Sequence, residues 1–175
     1  PAMGGAPASA QMEYYGYPTV AEYYLYWDLS ADNWRRLFSR LQAALRRFTA
    51  FPYAISQAAY ADFYFQKTAQ RLEEFFAQLA PEVRGVLDQE IIINGRACRP
   101  FAAQAGELQQ RLAALYHEKD FCVMHGDFCF NNILYDVPSG IVRLIDPRGS
   151  FGEHCIGIYG DQKYDFAKLK HSAEH

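Results

Sequence analysis

The sequence lacks the features that would tie the chain to a membrane or to nucleic acid. No window approaches the ~18 uninterrupted apolar residues of a transmembrane helix. The N-terminal stretch has no basic region followed by an apolar core, so it does not resemble a secretory signal. The net charge is only −3 at pH 7, which gives no electrostatic reason to bind nucleic acid or an anionic membrane. We therefore expect a cytoplasmic protein without a nucleic-acid or membrane partner.

Paired cysteines are also missing. The 4 cysteines include no Cys-x-x-Cys pair, and a chain of 175 residues does not need disulfides to form a core, which favours a reducing compartment. An alternative is a zinc site, because Cys122, His125 and Cys129 lie close together in the sequence. Zinc sites usually have tighter pairs and a fourth ligand, and we expect Cys122 to lie in a buried strand, pointing away from His125. Both points disfavour zinc.

The composition is that of a single globular domain with short unstructured or extended segments at its start. Half of the residues are apolar and 16% are aromatic, which is typical of a domain with a sizeable core. Residues 1–11 are small and include several Gly and Pro residues, and they predict a flexible tail. Residues 12–18 (Met-Glu-Tyr-Tyr-Gly-Tyr-Pro) predict a short β-strand that Gly16 and Pro18 end.

Two long helices are predicted next, from apolar residues at 3- and 4-residue steps. Ser30 is a candidate N-cap for a helix over about 31–49, and Ser56 opens a second helix. Five arginines on one face of the first helix form either a solvated face, which is the commoner case, or an anion site. The side chains expected to face inward from the two helices are Trp34, Leu37, Phe38, Leu41, Leu45, Phe48, Tyr60, Phe63, Tyr64, Leu72, Phe75, Phe76 and Leu79.

A short helix, a small hairpin and a third helix are predicted to follow. The apolar run 91–93 reads as a strand, and the Asn-Gly pair that starts at Asn94 is typical of a two-residue hairpin turn. The third helix is expected over about 102–118, with Leu108 and Leu115 among its buried residues.

The most informative segment lies near the C-terminal end. Residues 121–124 predict a buried strand that leads into His-Gly-Asp-Phe-Cys-Phe-Asn-Asn at 125–132. Two apolar runs around a Pro-Ser-Gly turn then predict a β-hairpin, which brings Asp127, Asn132 and Asp146 to one edge of a small sheet. One carboxylate can orient and deprotonate an attacking hydroxyl. An amide oxygen and a second carboxylate suit Mg²⁺ that is bound to nucleotide phosphates. The pattern predicts phosphoryl transfer.

His-Gly-Asp-x-x-x-x-Asn followed by Ile145-Asp146 resembles the catalytic loop of the aminoglycoside phosphotransferase and choline kinase superfamily, relatives of the protein kinases. The resemblance implies an α+β, mostly helical fold for residues 19–175, the C-terminal lobe of a protein-kinase-like fold with a catalytic β-hairpin. It also implies ATP and Mg²⁺ as cofactors. Asp127 then matches the catalytic base, and Asn132 and Asp146 match the metal ligands.

The resemblance also implies supporting roles for other residues. His125 would brace the catalytic loop. Asp165 resembles an aspartate of an Asp-Leu-Ala motif that opens a helix and accepts hydrogen bonds from this loop; a plain helix cap is the alternative. Residues 12–18 resemble the hinge between the two kinase lobes, where main-chain atoms of Glu13 and Tyr15 would pair with adenine. An aromatic strand without a ligand is the alternative.

Nothing in the sequence matches the smaller, N-terminal lobe of a kinase. That lobe supplies a glycine-rich phosphate cover and a strand lysine, whereas here no Lys or Arg precedes Arg35. We therefore expect this chain to be part of a longer protein that continues at both ends, and catalysis by the chain alone is in question. The aromatic stretch 14–27 would then be an exposed patch through which the chain self-associates.

The function that the resemblance implies is transfer of the γ-phosphoryl group of ATP to a hydroxyl of a sugar, amino-alcohol or aminoglycoside-like acceptor. Segments 128–136 and 160–169 also resemble kinase-like proteins of bacterial capsule or surface-polysaccharide biosynthesis, which favours a sugar. The alternatives are a non-catalytic kinase-like binding module and an inactive fragment of a longer enzyme. A protein kinase is disfavoured, because His-Gly-Asp replaces His-Arg-Asp and no Ala-Pro-Glu follows Asp146.

Overall fold

In the part of the chain that the structure describes, four helices come first, a short hairpin and a fifth helix follow, and most of the strands lie between the fifth helix and the last one. The computed structural model describes residues 13–151 and 155–174, so the predicted tail and Met12 lie outside the described residues. The helices are α1 (Val20–Tyr26), α2 (Ala31–Phe48), α3 (Gln57–Ala77), α4 (Pro81–Leu87), α5 (Phe101–Ala114) and α6 (Gln162–Glu174). The strands are β1 (Ile91–Ile93), β2 (Arg96–Cys98), β3 (Phe121–Val123), β4 (Ile133–Asp136), β5 (Ile141–Leu144), β6 (Ser150–Phe151), β7 (Cys155–Ile156) and β8 (Tyr159–Asp161).

The strands form small antiparallel sheets rather than one large sheet. Within the described ranges the pairs are β1–β2, β3–β8, β4–β5 and β6–β7. The α+β, mostly helical class that was predicted agrees with this arrangement. None of the described helices has the length and apolarity that a membrane span requires.

Helix α2 forms where the sequence predicts it. The Ser30 hydroxyl accepts a hydrogen bond from the backbone N of Asn33, which satisfies one of the free N–H groups at the helix start. Leu37, Leu41 and Leu45 are all buried, at the spacing of one helix face. They pack in a cluster with Val20 and Tyr23 of α1 and with four residues of the segment 128–135: Phe128, Phe130, Ile133 and Tyr135.

A second cluster joins α3 to β3. Tyr60 of α3 is buried against Phe121 and Met124, and Tyr64 and Tyr116 pack at its edge. Met124 belongs to this cluster, whereas Phe128 belongs to the one built on α2. The catalytic loop between these two residues is therefore held at both ends by buried side chains.

The hairpin β1–β2 has the predicted turn. Asn94 and Gly95 both adopt positive φ, 51° and 77°, which is the backbone conformation that a tight two-residue hairpin turn demands. The strands register Ile91 opposite Cys98. The hairpin is a surface element, since Ile92 is 77% exposed.

Helix α1 and strand β8 were not predicted. A capping box starts α1: the Thr19 hydroxyl accepts from the Glu22 N, and the Glu22 carboxylate accepts from the Thr19 N. This Thr-x-x-Glu pattern is visible in the sequence and could have revealed the helix. Strand β8 pairs with β3 through Cys122 and Gly160, a contact between distant segments that no local pattern indicates.

Several local predictions were wrong. Residues 13–18 form no strand, because Gly16 and Pro18 favour irregular backbone there. Helix α5 ends at Ala114, and Leu108 and Leu115 are 37% and 55% exposed, because an apolar period predicts the shared face of a helix and not whether another element covers it. Phe38 and Phe75 are 40% and 50% exposed although their helices are correct, since each lies at the border of its apolar face.

Leu41 provides a test of the α2 cluster. We expect Leu41→Ala to lower the free energy of unfolding by about 2–5 kcal/mol, because it leaves a cavity in a buried cluster. Leu25→Ala removes the same atoms from a side chain that is 64% exposed and is the matched control. Urea unfolding followed by circular dichroism measures both. Equal losses for the two variants would contradict the assigned core.

Candidate active site

Strand β3, its partner β8 and helix α6 together position the loop of residues 125–132. Strand β3 leads into the loop that starts at His125, and β8 leads directly into α6. Asp161 at the end of β8 pairs with Phe121 at the start of β3, and α6 then runs back along β3, so that its first turn contacts the start of the loop through His125 and Gly126. Asp165 in that turn is fully buried.

The Asp165 carboxylate fixes the backbone of the loop. Its Oδ2 accepts a hydrogen bond from the His125 N, and its Oδ1 accepts one from the Gly126 N, both at 2.8 Å. Gly126 has a φ of 79°, a conformation that side chains disfavour. Burial raises the pKa of Asp165 in spite of these two bonds, so desolvation outweighs the donors. Asp165 therefore accepts two hydrogen bonds from this loop, and its supporting role in catalysis stays a prediction.

Two side chains from different elements hold the Asp127 carboxylate. The Asn132 Nδ2 donates to the Asp127 Oδ2 and also to its backbone O, both at 3.0 Å. The Lys168 ammonium of α6 lies 2.7 Å from the Asp127 Oδ1. The bond from Lys168 lowers the pKa of Asp127 below its ordinary value, with a smaller lowering from Asn132. Asp127 is therefore an oriented, ionised carboxylate.

His125 lies inside the loop with its ring buried. The Asp127 N donates to the His125 Nδ1 at 3.3 Å, and the ring meets the Phe128 ring edge-on at 5.8 Å between centroids. Among the described residues the Nε2 has no hydrogen-bond partner. These contacts agree with a bracing role, since the ring touches the loop that it belongs to.

The β4–β5 hairpin brings Asn132 and Asp146 together along the backbone. Ile133 pairs with Leu144, and the Ile145 N donates to the Asn132 O at 3.0 Å. Asp146 comes next, with a φ of 54° and an exposed side chain. Both residues therefore lie at the open end of the hairpin, opposite its turn. The Arg148 N donates to the His125 O at 2.8 Å, which joins this end to the catalytic loop.

The segment that contains Glu13 and Tyr15 runs toward the same hairpin. The Tyr135 N donates to the Pro18 O at 3.0 Å, and Thr19 forms a bridge to Leu134. The guanidinium of Arg143 on β5 lies 5.0 Å from the centroid of the Tyr15 ring. The Tyr15 hydroxyl donates to the Glu13 carboxylate at 2.5 Å. The pairing of their main-chain atoms with adenine stays a prediction.

The donor set fits Mg²⁺ better than zinc. Cys122 is buried in β3, where burial raises the pKa of its thiol to about 11 and so opposes the thiolate that zinc binds. No cluster of three or more His, Cys, Asp or Glu residues is arranged for a metal in ranges 13–151 and 155–174. A cation held by Asn132 and Asp146 would thus need further oxygens, and Mg²⁺ commonly takes those from substrate phosphates.

Lys168 and Ser172 were not among the predicted site residues. The Ser172 Oγ accepts a hydrogen bond from the Phe130 N at 3.2 Å, and Lys168 contacts Asp127. Both lie on the face of α6 that carries Asp165, three and seven residues further along the helix. That spacing is the sequence signal that could have found them.

Asp165→Asn tests the link between α6 and the loop. An amide has one accepting oxygen, so at least one of the His125 and Gly126 N–H groups loses its partner in a buried position. We expect a loss of about 1–3 kcal/mol in the free energy of unfolding and faster hydrogen exchange at these two amides. Asp28→Asn, at an exposed position between α1 and α2, is the control. Unchanged exchange at both amides would contradict the assigned contact.

A family model of phosphotransferase enzymes matches residues 16–149. The matched range includes Asp127, Asn132 and Asp146, and it covers most of the described fold. No significant similarity to a curated protein or to a solved structure was found. The family implies a protein-kinase-like fold, with which the helices and the small sheets of the structure are consistent. The chain belongs to the phosphotransferase enzyme family, in the aminoglycoside phosphotransferase and choline kinase-like superfamily.

Proposed function

We propose that this chain carries the phosphoryl-transfer centre of an ATP- and Mg²⁺-dependent phosphotransferase that acts on a hydroxyl group. The observation that supports the proposal most is the arrangement of Asp127 and Asn132. The Asn132 side-chain amide donates a hydrogen bond to the Asp127 carboxylate. Both residues lie beside the open end of the β4–β5 hairpin, where Asp146 also lies.

Asn132 and Asp146 are the proposed ligands of Mg²⁺. Because the Nδ2 of Asn132 donates to Asp127, the Oδ1 is the atom of this side chain that is suited to a cation. The exposed Asp146 carboxylate supplies a second hard oxygen. When bound with the nucleotide phosphates, Mg²⁺ would neutralise the charge that develops on the transferred phosphoryl group.

Asp127 is the proposed base. Its lowered pKa keeps it ionised at neutral pH, so it can accept the proton of the attacking hydroxyl. In the transfer, the acceptor oxygen forms a bond to the γ-phosphorus, and the bond from that phosphorus to the β–γ bridging oxygen breaks as ADP leaves. The hydroxyl proton passes to Asp127. A loose transition state demands little basicity, so orientation matters more than a high pKa.

The remaining parts of the proposal concern the nucleotide base, the lobe and the acceptor. The segment from Glu13 to Pro18 reaches the hairpin through the Pro18 O, which supports adenine pairing with the Glu13 O and the Tyr15 N.

We assign the chain to the C-terminal lobe of the kinase-like fold. We propose a sugar hydroxyl as acceptor, from the likeness of 160–169 to capsule-type proteins, with residues 50–105 providing acceptor contacts.

Mg²⁺-dependent nucleotide binding is the first test. At ATP concentrations near 100 times the dissociation constant we expect a rise in melting temperature of about 5–10 °C in Mg²⁺ and a much smaller one in EDTA. Asp146→Asn should abolish the Mg²⁺-dependent part, because it removes a charged ligand, whereas Asp28→Asn should retain it. Differential scanning fluorimetry measures these shifts.

The melting-temperature shift and a separate assay of ADP formation together distinguish nucleotide binding from catalysis. We expect Asp127→Asn to keep the Mg²⁺-dependent shift and to lose ADP formation with hydroxyl acceptors, since Asp127 accepts a proton and does not hold the metal. A shift without ADP formation in the wild-type chain would favour the non-catalytic binding module. A shift that survives in Asp146→Asn, or that needs no Mg²⁺, would overturn the proposed metal site.

The adenine assignment predicts a difference between two substitutions of Tyr15. Tyr15→Ala removes the ring that lies against Arg143 and keeps the backbone N–H, whereas Tyr15→Pro removes both. We expect Tyr15→Pro to bind a non-hydrolysable ATP analogue about 10-fold more weakly than Tyr15→Ala, by isothermal titration calorimetry, because one hydrogen bond to adenine is lost. Equal affinities would show that the Tyr15 N does not contact the base.

A further inference from the structure

One face of α6 contacts the catalytic loop at three successive points. Asp165 binds the backbone N–H groups of His125 and Gly126, as described above. Lys168 contacts the side chain of Asp127. Ser172 accepts a hydrogen bond from the Phe130 N and donates one to the Lys168 O at 3.0 Å. The three α6 residues lie on one face because of their spacing along the helix.

The middle contact is the one that reaches the reacting group. The Lys168 Nζ lies 2.7 Å from the Asp127 Oδ1, and the Asn132 Nδ2 lies 3.0 Å from the Asp127 Oδ2. Each carboxylate oxygen therefore has its own donor, and the two donors come from different elements. A carboxylate that is held at both oxygens has a defined plane, and each oxygen keeps a lone pair for an acceptor hydroxyl.

We propose that Lys168 is a positioning residue for phosphoryl transfer, which holds the Asp127 carboxylate in the orientation that receives the acceptor hydroxyl. The proposal rests on the proposed function. Lys168 lies outside the matched range 16–149, and also outside the loop and the hairpin that contain Asp127, Asn132 and Asp146.

Stabilisation of the fold is a poor explanation for this contact. The side chains of Lys168 and Asp127 are 38% and 34% exposed, and partly exposed ion pairs contribute little to folding because water and salt screen them. The α6–loop packing is already secured by the buried Asp165 and by Ser172. What the ion pair changes is the orientation of a carboxylate that faces the site.

The orientation can be measured without any turnover. Three-bond couplings from the backbone to the Asp127 Cγ report by NMR whether its χ1 populates one rotamer. We expect single-rotamer values in the wild-type chain and averaged values in Lys168→Met, which keeps most of the length of the side chain and removes its charge. Lys168→Arg should keep one rotamer. Lys170→Met removes an exposed lysine of the same helix and should leave the couplings unchanged.

The kinetic consequence separates positioning from nucleotide binding. With Mg·ATP and water as the hydroxyl acceptor, we expect Lys168→Met to lower kcat on the order of 10-fold to 100-fold, since misplacement of a catalytic group by about 1 Å has that effect. The KM for Mg·ATP should change less than about 2-fold, and Lys168→Arg should recover part of kcat. Lys170→Met should match the wild type.

Three outcomes would overturn the proposal. Asp127 couplings in Lys168→Met that equal those of the wild-type chain would show that Lys168 does not orient the carboxylate. Averaged couplings with an unchanged kcat would show that the orientation is irrelevant to transfer. Averaged couplings in Lys170→Met as well would show a general effect of charge. A wild-type chain that turns over no ATP would count against the proposed function, and the couplings would still decide the contact.

Discussion

The buried carboxylate of Asp165 is the interaction on which the rest of the site depends. It accepts hydrogen bonds from the backbone N–H groups of His125 and Gly126, and its side chain is fully buried. Burial is the largest cause of the raised pKa of this group, and the two donors act against it by favouring the charged form. The loop conformation and the placement of α6 are therefore determined together. Asp127 acquires its direction from this shared framework.

The loop of residues 125–132 is held by two separate clusters of buried side chains, one built on α3 and the other on α2. Its first residue follows Met124, which belongs to the α3 cluster, and its later part is buried with α2 through Phe128 and Phe130. In the β4–β5 hairpin, the Ile145 N donates a hydrogen bond to the Asn132 O. This bond keeps the two proposed metal ligands, Asn132 and Asp146, at the open end of the hairpin. Rigid support of this kind is what phosphoryl transfer requires, because positioning and electrostatics supply most of the rate enhancement.

Local patterns predicted much of this arrangement, and most of what was missed depends on pairings between distant segments, although the capping box of α1 was an overlooked local signal. Ser30 and the apolar spacing of α2 are local signals, and so is the Asn94 turn; each was correct. The β3–β8 pair joins distant segments and has no local signature, and the spacing of Lys168 from Asp165 indicates its face of α6 without indicating that Asp127 is its partner. Exposure of Leu115 also depends on which elements pack nearby, and periodicity alone does not give that information.

Asn132 and Asp146 are proposed to hold a divalent cation together with nucleotide phosphates. Paramagnetic broadening by Mn²⁺ tests it most directly, because Mn²⁺ takes the place of Mg²⁺ at oxygen sites and broadens nearby NMR signals. With a non-hydrolysable ATP analogue present, we expect selective loss of the Asn132 side-chain amide and Asp146 backbone signals, and their retention in Asp146→Asn. Broadening elsewhere on the chain with these signals intact would contradict it.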